Sequence, residues 1–291
     1  MSSPRSHTTG FPFFFVCILY SLSSLSSGLA FAEGQTLERL QQGEPLMLAI
    51  ANEAPFGYID ATGTITGEAP EIARVVLERI APDHVIEWVN TDFGSLISGL
   101  KNNEFDIVAA GMFITPERCR EVAFSNPTYV IGEAFVVHAD NPLEIHDYWS
   151  IADNEAVRVG LMVGAVQYNY ALVTGTPAHR ALLYPDYPTA IEALRSGEID
   201  AIGMTALTAA NLVEEHSDLA ATEQFFPEFD GQLVRGYGAF AFRLQDQDLV
   251  DAFDAELAEF IGSDEHWAIV EPFGFRPDMQ PDRDSIDLCA P

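Results

Sequence analysis

Eight residues, Gly111-Met112-Phe113-Ile114-Thr115-Pro116-Glu117-Arg118, hold the densest chemistry in this chain. They read as a strand closing on a glycine, followed by a Thr-Pro helix start with an arginine in its first turn. Thr115 suits the N-cap, where a hydroxyl accepts an otherwise unpaired backbone N–H. Pro116 suits the first helical position, which needs no N–H. Arg118 then places a positive charge where the helix dipole opposes it. The conflict disappears if an anion occupies the helix start, because backbone N–H groups, the hydroxyl and a planar guanidinium would converge on one carboxylate. An ordinary capped helix with a solvated arginine is the competing reading.

The elements that must position these residues alternate strand and helix. Leu46 to Ala51 reads as a buried strand, Glu68 to Ile80 as an amphipathic helix and Val85 to Asn90 as a second strand. Phe93 to Asn103 reads as a helix and Asp106 to Gly111 as a third strand. This order implies parallel sheets with crossover helices, an α/β architecture. The pattern then repeats. Phe93, Ser95, Ile97, Leu100, Glu104 and Asp106 match Tyr187, Thr189, Ile191, Leu194, Glu198 and Asp200, each pair offset by 94 positions. One constant offset across helix, turn and strand indicates two related halves. Ile131 to His138 and Leu233 to Phe242 are β-rich runs that carry the chain out of the first half and back, and residues 246–272 return to helix. Two strands between two lobes make a hinge, and the cleft they frame is where a ligand would sit. The expected division is a first lobe of residues 33–137 plus 236–291 and a second lobe of residues 138–235.

The chain's start and its charge bound the setting. Arg5 precedes an apolar run from Phe11 to Leu22, and Ala30-Phe31-Ala32 offers a small-x-small cleavage site. Residues 1–32 therefore read as a signal peptide cleaved after Ala32, which predicts a soluble, exported, periplasmic protein. Cys17 lacks the small-residue context of a lipid-attachment site. With 14 Lys and Arg against 44 Asp and Glu, the formal charge is −30, which argues against nucleic acid or an anionic membrane as a partner. Cys119 and Cys289 could form one disulfide in an oxidising compartment, and their pairing stays open at this stage. The histidines show no ligand-like spacing, so neither a metal nor a cofactor is expected.

On these residues the chain resembles the periplasmic solute-binding proteins of ABC transporters for polar amino acids, over essentially all of its mature length. Gly111 to Arg118 is where that family binds a ligand carboxylate, and Gly197-Glu198-Ile199-Asp200-Ala201 matches its second lobe. Asn52-Glu53-Ala54-Pro55-Phe56, Thr66-Gly67-Glu68-Ala69-Pro70-Glu71 and Phe93-Gly94-Ser95-Leu96-Ile97, with Gly111 to Cys119, look like its ectoine/hydroxyectoine-binding branch. The resemblance implies a two-lobed periplasmic-binding-protein fold, a monomer, a small zwitterionic ligand, and an ABC permease in the inner membrane as partner. It also implies a site. Phe56, Phe93 and Phe113 would form an aromatic box for a delocalised amidinium, at ~0.5–2 kcal/mol per contact. Glu53 would accept the ring N–H groups, while Arg118 with Thr115 would take the carboxylate.

Three departures from the amino-acid binders sharpen this expectation. Phe113 stands where they usually carry a small hydroxyl residue. Thr205 stands where they usually carry the aspartate that grips an α-ammonium, and Ala165 follows Gly164 where they tend to have Ser or Thr. The second-lobe contacts at Ala165 and Thr205 therefore stay open. In a chain with 20 phenylalanines, core packing competes with a ligand role for each ring. Two rival functions remain: a binder of another polar amino acid or betaine-like zwitterion, and a periplasmic dehydratase on the same fold. No nucleophile elbow, dinucleotide fingerprint or metal spacing supports an enzyme.

Overall fold

The computed structural model describes Met1, residues 35–214 and residues 216–290. The expected signal peptide, apart from Met1, lies outside the described residues. No described helix is long and apolar enough to cross a membrane.

The chain builds two mixed sheets of the same design, one per lobe. In the first, Val85–Asn90, Pro45–Ile50 and Ile107–Phe113 lie side by side in parallel, and Gly236–Phe242 adds to them antiparallel. In the second, Ala181–Tyr184, Val159–Met162 and Ala201–Thr205 are parallel, and Glu133–His138 adds antiparallel. The central parallel strands are buried on both faces, as helix-covered sheets require, while the edge strands Val85–Asn90 and Ala181–Tyr184 stay partly exposed. Successive residues serve opposite faces. Leu46, Leu48, Ile107 and Ala109 pack under Glu68–Ile80 and Gln247–Phe260, while Ala49, Val108, Ala110 and Met112 pack with Leu96 and Leu100.

The internal repeat is structural. Asp106 pairs backbone-to-backbone with Met47 and accepts the Met47 N–H on its side chain at 3.0 Å. Asp200 does the same to Arg158 at 2.8 Å. Each carboxylate thus locks the start of a third parallel strand to the first. The turns ahead of them also correspond: Asn103 and Gly197, at the same offset, both take left-handed φ values of 60° and 73°. Asparagine and glycine are the residues that tolerate this conformation.

The antiparallel strand of each sheet arrives from the other lobe. Tyr129–Ile131 pairs with Gly236–Phe242 in the first sheet, and Glu133–His138 already belongs to the second. By sheet membership the chain passes between lobes at Gly132, ahead of the division expected after residue 137. The two connections touch there: Glu133 and Phe225 exchange backbone hydrogen bonds of 2.8 and 2.9 Å. Cys119 and Cys289 form a disulfide across 170 residues. It ties the terminal helix Ser285–Cys289 to the turn that carries Arg118.

Candidate functional site

A small cavity lies between the lobes, walled by Glu53, Phe56, Phe93, Gly111, Phe113 and Arg118 from the first and by Met162, Ala165, Val166, Gln167, Tyr187 and Thr205 from the second. Seven of the eight expected residues meet on it. The exception is Thr115, whose hydroxyl instead accepts the Arg118 N–H at 3.2 Å.

Glu53 and Phe56 reach the cavity from one tight loop. Glu53 bridges Gly57, its carbonyl receives the Phe56 and Gly57 N–H groups at 3.0 Å, and both side chains face the cleft. Phe56 and Phe113 prove to be core residues as well as cavity walls. Phe56 stacks on Tyr129 at 5.1 Å and meets Phe275 at 5.8 Å; Phe113 meets Tyr129 edge-on at 6.5 Å. Tyr129 in turn donates to the Gly111 carbonyl at 2.8 Å. Both rings are packed into the core, and the little surface they keep lies on the cavity.

The helix expected after Thr115-Pro116 is not formed as one. The chain makes only a three-residue 3₁₀ turn, Arg118–Arg120, before it re-enters the sheet at Ala123–Phe124. Between the two strands only these three residues are helical, which is too short a turn to accumulate a dipole, so the helix-start anion site is corrected to a single guanidinium. Arg118 is 8 % exposed and stands over the Phe93 ring at 5.6 Å. One terminal nitrogen donates to the Phe113 carbonyl at 2.7 Å, the other to the Gly164 carbonyl of the second lobe at 2.9 Å. Two of its five N–H groups are thereby used and three remain. Burial pulls the guanidinium down to about 10, still charged at neutral pH.

The acidic group of the cavity is Glu53. Burial pushes its carboxyl up to about 7, against the downward pull of hydrogen bonds from Thr208 and Tyr187. The Thr208 hydroxyl donates to Oε1 at 2.7 Å across the cleft. A second buried acid, Glu133, stands behind the second-lobe wall. It accepts both contacts of the Gln167 amide, at 3.0 and 3.2 Å, and burial pushes it up to about 8. A third, Glu68, has neither oxygen hydrogen-bonded, and burial raises it to about 8 although the nearby Thr128 hydroxyl pulls down. Thr205 faces the cavity but spends its hydroxyl on Thr208, at 2.9 Å. Ala165 has no polar side-chain atom to offer, and a nearby polar side chain on the wall is Gln167.

The lobes meet closely at the cavity rim. A Cβ on Gly164 would lie 2.7 Å from the Gly94 Cα, so only glycines permit this approach. Sequence reasoning missed Met162, Val166, Gln167, Tyr187 and Thr208. The repeat held the signal for one of them, since Tyr187 is the counterpart of Phe93. Among the described residues no group of three or more His, Cys, Asp or Glu side chains could hold a metal ion.

Two lobes of like topology, joined by crossing strands and closed on a cavity with one cation, one carboxyl and an aromatic wall, define a small-solute binding protein. The chain belongs to family 3 of the bacterial extracellular solute-binding proteins, which it matches over residues 46–275. It is 36 % identical over 273 residues to the probable amino-acid ABC transporter periplasmic-binding protein y4tE of Sinorhizobium fredii, covering 92 % of this chain and 90 % of that one. It is 26 % identical over 253 residues to the arginine-binding extracellular protein ArtP of Bacillus subtilis, covering 84 % and 88 %. Among solved structures it is similar to EhuB in complex with hydroxyectoine, with a TM-score of 0.80, 32 % identity, and coverage of 89 % of this chain and 99 % of that one.

Proposed function

We propose that this protein captures ectoine or hydroxyectoine in the periplasm and delivers it to an ABC permease in the inner membrane. The observation that carries the reading is the convergence of Phe56, Phe93 and Phe113 with Glu53 and Arg118 on one cavity. Ectoine pairs a carboxylate with a flat, delocalised cation. The three N–H groups left on Arg118 suit the carboxylate, and aromatic faces suit a weakly hydrated cation that a compact ammonium site would not hold. Glu53 then accepts the ring N–H groups, and the nearby positive charge keeps it ionised. The hydroxyectoine complex of the structurally similar EhuB supports the same ligand class.

The protein acts as a binder rather than an enzyme. A carboxyl near 7 suits acid–base work, yet no second carboxyl, histidine or cysteine lines the cavity among the described residues to complete a proton relay. The family relatives are solute-binding proteins.

One observation favours a second reading, a basic amino acid. Glu133 lies directly behind Gln167, and a ligand with a second positive charge reaching that wall would find a buried acid there. Competition calorimetry with ectoine, hydroxyectoine, arginine, proline and glycine betaine decides between them. Ectoine or hydroxyectoine binding at least about tenfold tighter than arginine supports the proposal, and the reverse order replaces it. Solution scattering should also show a smaller radius at saturating ectoine, because the ligand supplies contacts that exist only when the lobes close.

A further inference from the structure

We propose that Thr208 is a positioning residue for ligand recognition: held by Thr205, it orients the Glu53 carboxylate toward the ligand's cation, and it can do so only across a closed cleft. The inference rests on Glu53 being the cation's partner, as proposed above, and assigns the side chain that sets Glu53's geometry.

The hydrogen-bond accounting gives the arrangement a direction. Thr208 has one hydroxyl proton, and it goes to Glu53 Oε1 at 2.7 Å. The 2.9 Å contact between the Thr205 and Thr208 hydroxyls must then be donated by Thr205. Thr205 in turn accepts the Thr208 backbone N–H at 3.3 Å. The result is a chain running from the backbone through Thr205 and Thr208 to the carboxylate, in which each donor polarises the next. Both threonines are buried, at 7 % and 3 % exposed, and belong to the second lobe, whereas Glu53 belongs to the first.

The chain terminates on an acceptor, so it favours the ionised carboxylate that a cationic ligand needs. It also engages Oε1, which fixes how the Glu53 carboxylate is turned at the cavity wall. The other groups acting on this carboxylate are the Tyr187 hydroxyl, which faces it, and the buried Glu133 and Tyr129 within electrostatic reach. Arg118 lines the same cavity. Among the described second-lobe residues, Thr208 donates to Glu53 at 2.7 Å and the Tyr187 hydroxyl also favours its ionised form. Opening the hinge would separate Thr208 from Glu53, so recognition of the cation and closure of the cleft become one event.

The test is a double-mutant cycle by calorimetry with ectoine, on the full chain, from pH 6 to pH 9. Thr208→Val keeps shape and removes the donor; it should weaken binding by about tenfold or more, the usual worth of a hydrogen bond to a charged group. It should also move the pH at which affinity falls upward, since Glu53 loses a donor that favoured its ionised form. Thr208→Ser should recover most of the loss. On a Glu53→Gln background, Thr208→Val should cost less than about threefold, because its effect runs through the carboxylate. Equal losses on both backgrounds, or an unshifted pH profile, would make Thr208 a packing residue and overturn the proposal. Circular dichroism verifies that each variant is folded. If the parent binds arginine and not ectoine, the proposed function falls, and the same cycle with arginine decides the role of Thr208 independently.

Discussion

Arg118→Lys keeps the positive charge and should still cripple binding. Arg118 does three things at once: it donates to the Phe113 carbonyl, donates to the Gly164 carbonyl across the cleft, and presents three further N–H groups. A lysine ammonium has three donors on one atom and a shorter reach. If it keeps both carbonyls, one donor remains for the ligand and the bidentate contact is lost. If it turns to the ligand, the link to the second lobe is lost. Either way at least one hydrogen bond to a charged group disappears, worth about 1.5–3 kcal/mol, and the stacking over Phe93 weakens by about 0.5–1 kcal/mol. The expected loss of about 2–4 kcal/mol corresponds to a ~30- to 1000-fold rise in Kd for ectoine. Burial already pulls the native guanidinium down to about 10. The same desolvation acting on a lysine would bring it toward neutral pH, so the variant should also lose affinity on the alkaline side where the parent does not. Calorimetry at pH 7 and pH 9, with thermal unfolding as a folding check, measures both effects. A folded lysine variant that binds ectoine within about threefold of the parent would refute the carboxylate assignment.

Three further outcomes are expected. Phe113→Ser should lower ectoine affinity by about 1–2 kcal/mol through lost apolar and cation–π contact, and should also lower the thermal midpoint, because this ring packs against Tyr129 and Gly236; calorimetry and a melting curve separate the two. Glu68→Gln should stabilise the protein at alkaline pH: a carboxyl raised from 4.5 to about 8 by burial contributes stability that is intact below 4.5 and is lost as pH rises through 8, whereas glutamine has nothing to titrate. Urea unfolding at pH 5 and pH 9 should show a gap between parent and variant that widens with pH, and a constant gap would contradict the burial argument. Replacing Cys119 and Cys289 by serine should destabilise by about 2–5 kcal/mol, since the bond closes a long loop, and should reduce ectoine affinity by loosening the turn that holds Arg118; an unchanged melting temperature would show that the crosslink adds nothing.

Much of this architecture was legible because periodicity and punctuation agreed. The helix Glu68–Ile80 and the strand Val85–Asn90 fall where their patterns place them. The 94-residue offset reaches the level of single hydrogen bonds at Asp106 and Asp200. Two things were not legible. The Thr-Pro signal resembles a helix start, yet whether a helix follows depends on how soon the chain must rejoin its sheet, which is a tertiary constraint. The second-lobe wall was hidden because Gln167, Thr208 and Met162 are ordinary helix and strand residues whose importance comes only from facing Glu53 or the cavity. Tyr187 was within reach, since a repeat that places Phe93 at a cleft also places its counterpart there.

The division of labour between the lobes follows from which residues carry the charge. On the proposed function, both ligand charges are met from the first lobe, by Glu53 and Arg118, and the aromatic box is built there too. The second lobe brings no charged side chain to the cavity wall among the described residues. What it does bring acts on the grippers themselves: Thr208 and Tyr187 on Glu53, and the Gly164 carbonyl on Arg118. A ligand could therefore dock on the open first lobe and make its principal contacts before closure. Closure would then be favoured because the second lobe's hydrogen bonds are strongest to an ionised Glu53 and a correctly turned Arg118, the states that a zwitterion stabilises. A ligand lacking either charge would leave one gripper unset and forfeit part of the closing energy, so selectivity would be expressed in closure as well as in docking.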